Sequence, residues 1–340
     1  MLGRCFLVCS LIAVASLCHA DEMSPEALVR NYTGTLAKQQ KFALKFTNKT
    51  VTTAQIFVHP HVPWEEKPTK STHYVSGEVI TDGRRVAVSR NEWGQISRRT
   101  ARAAGNPLYS KYTFDGRQAW YYDRDPQNTD EPHGDLSIDP NPRHEPMRAA
   151  VQTDVGLSLL GYITIHRIKI DDALRDPSAK LVVRKELENI GGVDCYVLDV
   201  SSLYGRGTVW LDPEHGYNMA QAHFSLRTGD VFKPTNKPIT DPWESQFYWK
   251  DMTFTLVDDV WFPTQGNFEY SIDCERFWEK TAHHLKFTDL KLNPDMDAMD
   301  AFSTAHIPDG AICSYIYQHV PGVRSTPYIW QDGRVIPAGR

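Results

Sequence analysis

Four groups of histidines are placed closely enough to invite chemistry. In HPHVPWEE, His59 and His61 stand two apart with Glu65 and Glu66 nearby, and on a strand the two imidazoles would face one way, as a metal pair could. Pro60 between them and the prolines that follow argue for a surface loop, so no metal is assigned and His59 and His61 stay candidates only. In DPEHG, Asp212, Glu214 and His215 are close together, but Asp-Pro-x-x-Gly is a common turn. His223 precedes Phe224 on a strand-like run and reads as a half-buried imidazole; His283 and His284 adjoin on another and must point to opposite faces. There is no G-x-S-x-G and no H-E-x-x-H, and GLSLLG lacks the Lys-Ser/Thr ending of a phosphate loop. No pair of acids stands out as the two placed carboxylates of a glycosidase. The residues therefore point away from an enzyme, and no catalytic residue and no cofactor is assigned.

The triplet Asp-Gly-Arg occurs at Asp82, Asp115 and Asp332, with a fourth Asp-Gly at Asp309. Gly accepts positive φ and Asp tolerates it, so these pairs read as hairpin tips, with the following Arg an exposed strand residue. The aromatics carry more information. Alternation puts Trp120 and Tyr122 on one face with Tyr121 opposite, Trp210 opposite Val209 and Leu211, Phe247 with Trp249, and Trp261 opposite Phe262. Several strands are thus apolar on both faces, and a sheet solvated on one side would alternate more cleanly. Both faces must be covered, one by helices and the other by a cavity lining or a partner.

The elements that position these residues follow from the same patterns. Ser24, Pro25 and Glu26 make a helix start, and Leu28, Tyr32 and Leu36 repeat at helical spacing to about Gln39. Strand-like runs cover Phe42 to Val58, then hairpins form about Asp82-Gly83, Asp115-Gly116, Gly191-Gly192, residues 212 to 216 and Asp258-Asp259. Residues 124 to 146 read as a long loop. Val151, Val155 and Leu159 predict an inserted helix over Met147–Gly161, and IDDALRD a short one. HHLKFTDLKL is a strand ended by Pro294, and the tail holds two strand-sized runs, Ala311–Tyr317 and Tyr328–Ile336.

The chain of 340 residues has net charge −5, with 23% charged and 41% hydrophobic residues, which suits a globular protein and offers no basic field for nucleic acid. Residues 1–20 read as a secretory signal peptide: Arg4, a short apolar run and Cys18-His19-Ala20, with cleavage after Ala20. Leu17 stands where a lipoprotein signal ending at Cys18 wants a small residue. No later stretch is apolar enough for a membrane span, so the protein is expected to be periplasmic or secreted. Cys195, Cys274 and Cys313 would remain, either with one bridge, Cys274–Cys313, or as three small buried residues. Asn31-Tyr32-Thr33 and Asn48-Lys49-Thr50 match the glycan acceptor pattern.

The order of an N-terminal amphipathic helix, long antiparallel strands, FDGRQAWYYD, a helical insert, GGVDCYVLDV, GTVWLDPEHGYNMAQAHF and VWFPTQGNFEY resembles the periplasmic lipoprotein-carrier (LolA/LolB-like) superfamily over roughly residues 24 to 292, most nearly its long secreted bacterial relatives. The resemblance implies a mainly β (α+β) fold: a curved antiparallel sheet forming an unclosed half-barrel, with an N-terminal helix and an inserted helix covering the concave face and an apolar cavity for acyl chains. It divides the chain into a signal peptide (1–20), a half-barrel domain (21–293) and a C-terminal extension (294–340). On it, Trp120, Tyr122, Trp210, Phe224, Trp249 and Trp261 become ligand-binding candidates. The implied function is an exported binding protein for a lipid or lipoprotein acyl chain, in envelope transport or sensing. The alternatives are a protein–protein module of an envelope complex with an envelope protein as partner, and a metal-dependent hydrolase built on His59 and His61.

Overall fold

A computed structural model describes residues 23–56, 69–95, 101–128, 133–139, 158–163, 168–232, 236–275, 277–315 and 328–337. The expected signal peptide, His59, His61 and most of the expected helix over 147–161 lie outside these residues.

The first element is helix α1 (Pro25–Lys38), and its sequence explains both ends. Ser24 Oγ accepts from the Ala27 amide, Pro25 opens the helix, Glu26 sits at the positive end of the dipole and Lys38 at the negative end. Leu28, Val29 and Tyr32 are its buried stripe.

Strands β1 (Phe42–Ile56), β2 (Thr69–Thr81), β3 (Val86–Gln95), β4 (Ala101–Arg102), β5 (Leu108–Phe114), β6 (Ala119–Arg124) and β7 (Asp135–Asp139) follow. A 3₁₀ turn (Ser158–Leu160), the small pair β8 (Tyr162–Ile163) and β9 (Ile168–Lys169), and the short helix α2 (Ile170–Leu174) come next. The described end of the expected inserted helix is thus a 3₁₀ turn running into a strand. Then come β10 (Lys180–Val183), β11 (Glu188–Ile190), β12 (Val193–Ser202), β13 (Gly205–Asp212), β14 (Asn218–Arg227) and the separate pair β15 (Val231–Phe232) and β16 (Lys237–Pro238). Three long strands, β17 (Trp243–Val257), β18 (Val260–Cys274) and β19 (Phe277–Leu292), precede the tail strands β20 (Ile312–Tyr315), β21 (Tyr328–Gln331) and β22 (Arg334–Pro337).

Hydrogen-bonded neighbours run from β10 and β11 through β12, β13, β14, β17, β18, β19, β1, β2, β3, β5, β6, β7, β20 and β21 to β22. Strand β1 is the centre, because β19 pairs on one side of it and β2 on the other. Among the described residues the two ends do not meet, so this is a large curved sheet not closed into a barrel. Pairing is antiparallel with one exception: β20 lies parallel to β7.

Alternation sorts the side chains into two faces. The inner face, against which α1 packs, carries the main core: Phe42, Leu44 and Phe46 of β1, Phe224 of β14, Phe247 and Trp249 of β17, Phe268 of β18 and Phe287 of β19 join Leu28, Val29 and Tyr32. The outer face is covered in part by the chain after Pro294. Met296 and Ala301 pack on Ala43 and Ile80, and Ile307, Ala311, Cys313 and Trp330 pack on Tyr122, Leu136 and Ile138. That is why β6 reads as apolar on both sides.

The Asp-Gly pairs are turns. Gly83 (φ 84°) and Gly116 (φ 98°) adopt the conformation that favours glycine, and Asp82 Oδ1 accepts from the Arg84 and Arg85 amides at 2.9 and 2.6 Å. Asp115 Oδ1 does the same for Arg117 and Gln118. Arg84, Arg117 and Arg334 are exposed, but only Arg334 starts a strand; Arg84 and Arg117 belong to the turns, with β3 starting at Val86 and β6 at Ala119. The three cysteines are free, so the Cys274–Cys313 bridge is not formed; Cys195 and Cys313 are buried and Cys274 is half-buried.

Candidate functional site

The end of α1, two hairpin turns and the 3₁₀ segment converge on one pocket of about 500 Å³, open to solvent. Helix α1 supplies Leu36 and its C-cap Gln39; Gln40 and Phe42 lead into β1. The β2–β3 turn contributes Gly83 and Arg84, and β5 and its turn give Phe114 and Gly116. Leu160, Tyr162 and Lys169 close the far side. Phe42, Phe114, Leu160 and Tyr162 are buried and make an apolar floor. Gln39 is held rigidly, because its Nε2 donates to Asn218 Oδ1 at 2.9 Å and to the Trp261 carbonyl at 2.6 Å. The volume falls in the range of about 300–1,000 Å³ typical of small-molecule sites.

Farther along the same face the lining turns polar. Phe46 is followed on β1 by Asn48 and Thr50, with His73 beside Thr50 on β2 and His283 beside it on β19. His283 Nδ1 lies 3.2 Å from Asn48 Nδ2 and 3.1 Å from Thr50 Oγ1, and its ring stacks near Phe268 and Tyr270. An imidazole accepting from Asn48 there is neutral, and burial, with His73 and His284 adding charge repulsion, pushes its pKa down to about 3. Glu92 lies 3.2 Å from His73 Nε2 and 2.6 Å from Arg90 Nε. Burial alone would raise the Glu92 carboxyl, but the bond from His73 and the charge of Arg90 outweigh it and hold it below the usual range. Asn48 is buried in this band, which removes it as a glycan acceptor.

The six aromatic candidates do not come together, and the described pocket takes its lining from other residues. Phe224 and Trp249 are fully buried in the inner-face core, and Trp249 Nε1 donates to the Ser158 carbonyl at 2.8 Å. Trp120 and Tyr122 lie on the outer face with the tail, where the Tyr122 hydroxyl donates to the His133 carbonyl at 3.0 Å. Trp210 is also on the outer face, its Nε1 donating to Glu188 at 2.9 Å. Trp261 meets the His215 ring edge-on at 4.6 Å. Alternation sorts each strand into two sets without saying which set faces inward, and the fold divides these aromatics between its two faces. The Asp-Gly turns, legible in the sequence, bring Arg84 and Gly116 to this pocket.

The three histidine groups that lie among the described residues have structural partners. His215 Nδ1 lies 2.5 Å from Asp212 Oδ2 within the β13–β14 turn, and its ring stacks on Phe254. His223 is half-buried, stacked on Tyr248 and bonded to Gln246 at 2.6 Å. His284 is exposed on the face opposite His283. Among the described residues no group of three or more His, Cys, Asp or Glu side chains is placed to hold a metal ion. No described helix is long and apolar enough to cross a membrane.

No family model matches the chain, and no curated protein matches it. Among solved structures, a DUF1329 family protein from Desulfovibrio piger is similar over 83% of this chain and 98% of its own, at 11% identity and a TM-score of 0.37. MucB, solved in complex with MucA(peri), is similar over 80% of this chain and 100% of its own, at 8% identity and a TM-score of 0.22.

Proposed function

We propose that the protein is an exported, non-catalytic binding protein of the cell envelope that holds an apolar ligand, a lipid or lipoprotein acyl chain, for transport or sensing. The observation that carries this reading is the open pocket of about 500 Å³ between α1 and the sheet, floored by Leu36, Phe42, Phe114, Leu160 and Tyr162. Each methylene buried there contributes about 0.8 kcal/mol, so a chain of modest length binds without any charged contact or cofactor.

The test is a titration with N-phenyl-1-naphthylamine, an uncharged dye that brightens in apolar surroundings. Saturable binding by the full chain, abolished in Leu160→Glu while a fold-preserving Leu160→Met keeps it, is the expected result. No saturable binding by the unaltered protein would reject the reading.

A second reading, a protein–protein module, draws on the sheet edges. Val182 on β10 and Leu187 beside β11 are exposed at an end of the sheet that pairs with no further strand among the described residues. An added strand from a partner would complete that edge. Dye binding without a partner separates the two readings.

A further inference from the structure

The tail packs over Ala43 and Ile80 and over β6 and β7, and farther along the outer face the middle of the sheet carries cations and aromatic rings. One row across β18, β19, β1, β2 and β3 sets Asn267, His284, Lys49, Tyr74 and Trp93 side by side. Lys286 stands two residues from His284 on the same face of β19, and Lys280 and Lys70 flank Thr53 in a row farther along. At about 3.4 Å per residue and about 4.8 Å between strands, the Lys49 and Lys286 Cα atoms are roughly 8 Å apart, and Lys286 to Lys280 spans roughly 20 Å. All four lysines are exposed, and none forms an ion pair or hydrogen bond among the described residues. The Tyr74 and Trp93 rings stack at 5.8 Å and 9°, both half-buried, with no hydrogen bond to the Tyr74 hydroxyl or to Trp93 Nε1 among the described residues.

The carboxylates of this face stand around the patch. Glu269 is bonded to Lys250 at 2.8 Å, and Asp251 beside them accepts from Asn267 at 2.6 Å. Asp289 is bonded to Lys45 at 2.8 Å, and Glu78 lies opposite Lys45. Asp273 lies near the end of β18, opposite Trp278. Glu279 turns to the inner face, where it accepts from the Tyr270 hydroxyl at 2.7 Å. The chain as a whole carries net charge −5, so four lysines without ion-pair partners on one face depart from its average surface.

We propose that this face docks on an anionic phospholipid bilayer, with Lys49, Lys70, Lys280 and Lys286 meeting headgroup phosphates and the Tyr74–Trp93 stack lying at headgroup level. Rings with an apolar body and a free polar tip suit that depth, and lysines near an anionic leaflet are attracted to it. The charges are spread over the sheet instead of converging on one point, as a laterally continuous anionic surface requires. At Lys49 and Lys286, β1 and β19 are paired on both sides, so an acidic peptide would find no free backbone edge there. The proposal goes beyond the ligand pocket and does not depend on it.

The experiment is co-sedimentation of the full chain with vesicles of phosphatidylcholine alone, or of phosphatidylcholine mixed with phosphatidylglycerol. The anionic vesicles are expected to bind at least about tenfold more tightly, and about 1 M NaCl, where the screening length is about 3 Å, to release the protein. Lys49→Glu, Lys286→Glu should abolish that preference, whereas Lys180→Glu, Lys237→Glu, an equal charge change at exposed lysines outside the patch, should keep it. Should the first variant misfold, Lys49→Gln, Lys286→Gln should weaken binding to the anionic vesicles by about threefold or more. Equal binding to the two kinds of vesicle, equal losses in the two Glu variants, or no loss in the Gln variant overturns the proposal. Retention on immobilised polyglutamate without vesicle binding overturns the lipid assignment in favour of an acidic protein. No pocket ligand enters the measurement, so each of these outcomes leaves the proposed binding function standing.

Discussion

His283 shows how much one side chain can decide. It is a buried imidazole that accepts hydrogen bonds on Nδ1 among Asn48, Thr50, Phe268 and Tyr270, and burial pushes its pKa from 6.5 down to about 3. His306 is half-buried against the outer face, and that burial, with the charge of Lys111, pushes its pKa down to about 4. Because the folded values are depressed, the stability these groups contribute is complete above pH 6.5 and is lost as pH falls toward 4 and 3, where the unfolded chain has already taken up the protons. The urea midpoint is therefore expected to fall between pH 7 and pH 4, and His283→Asn should flatten part of that slope; an unchanged slope would show that another group titrates. The opposition of His283 to His284 was legible in the sequence, since adjacent strand residues face opposite ways. The low pKa was not, because it depends on Phe268 and Tyr270 arriving from β18.

At the scale of elements, turns were the most legible feature. Asp-Gly chemistry is local: the Asp side chain caps two amides and the Gly takes positive φ, whatever the rest of the chain does. Asp82→Ala removes a carboxylate holding two amides and the Arg85 guanidinium, and should cost about 1–3 kcal/mol of unfolding free energy in urea titration. Arg117→Ala, in the exposed β5–β6 turn, should stay within about 0.5 kcal/mol. The helix start at Ser24 and the hairpins at Gly191 and Asp258 were equally readable, the Asp258-Asp259 turn being made by two non-glycine residues with positive φ (47° and 61°). Strand facing was not. Trp120, Tyr122 and Trp210 alternate as expected but point outward, because which side of a strand meets the core is set by its neighbours across the sheet, not by its own pattern.

For the whole molecule, the chain beyond Pro294 changes the account most. Its strand β20 extends the sheet by lying parallel to β7, and its apolar side chains cover the outer face over β1, β2, β6 and β7. Nothing local in ICSY names DLSID as a partner, so this pairing could not be read from spacing. A chain ending at Pro294 would expose Leu136, Ile138 and Tyr122 together, and is expected to self-associate in sedimentation. Trp330→Ala should cost about 3–5 kcal/mol by the cavity it leaves. The tail covers part of the outer face, and the pocket at the end of α1 offers a ligand about 500 Å³. The most direct measurement is native mass spectrometry of the protein purified gently from its source envelope, with organic extraction of what it carries. The account predicts one acyl-bearing species per chain, absent from Leu160→Glu; a protein that emerges empty and stays empty when single-chain lipids are supplied would contradict it.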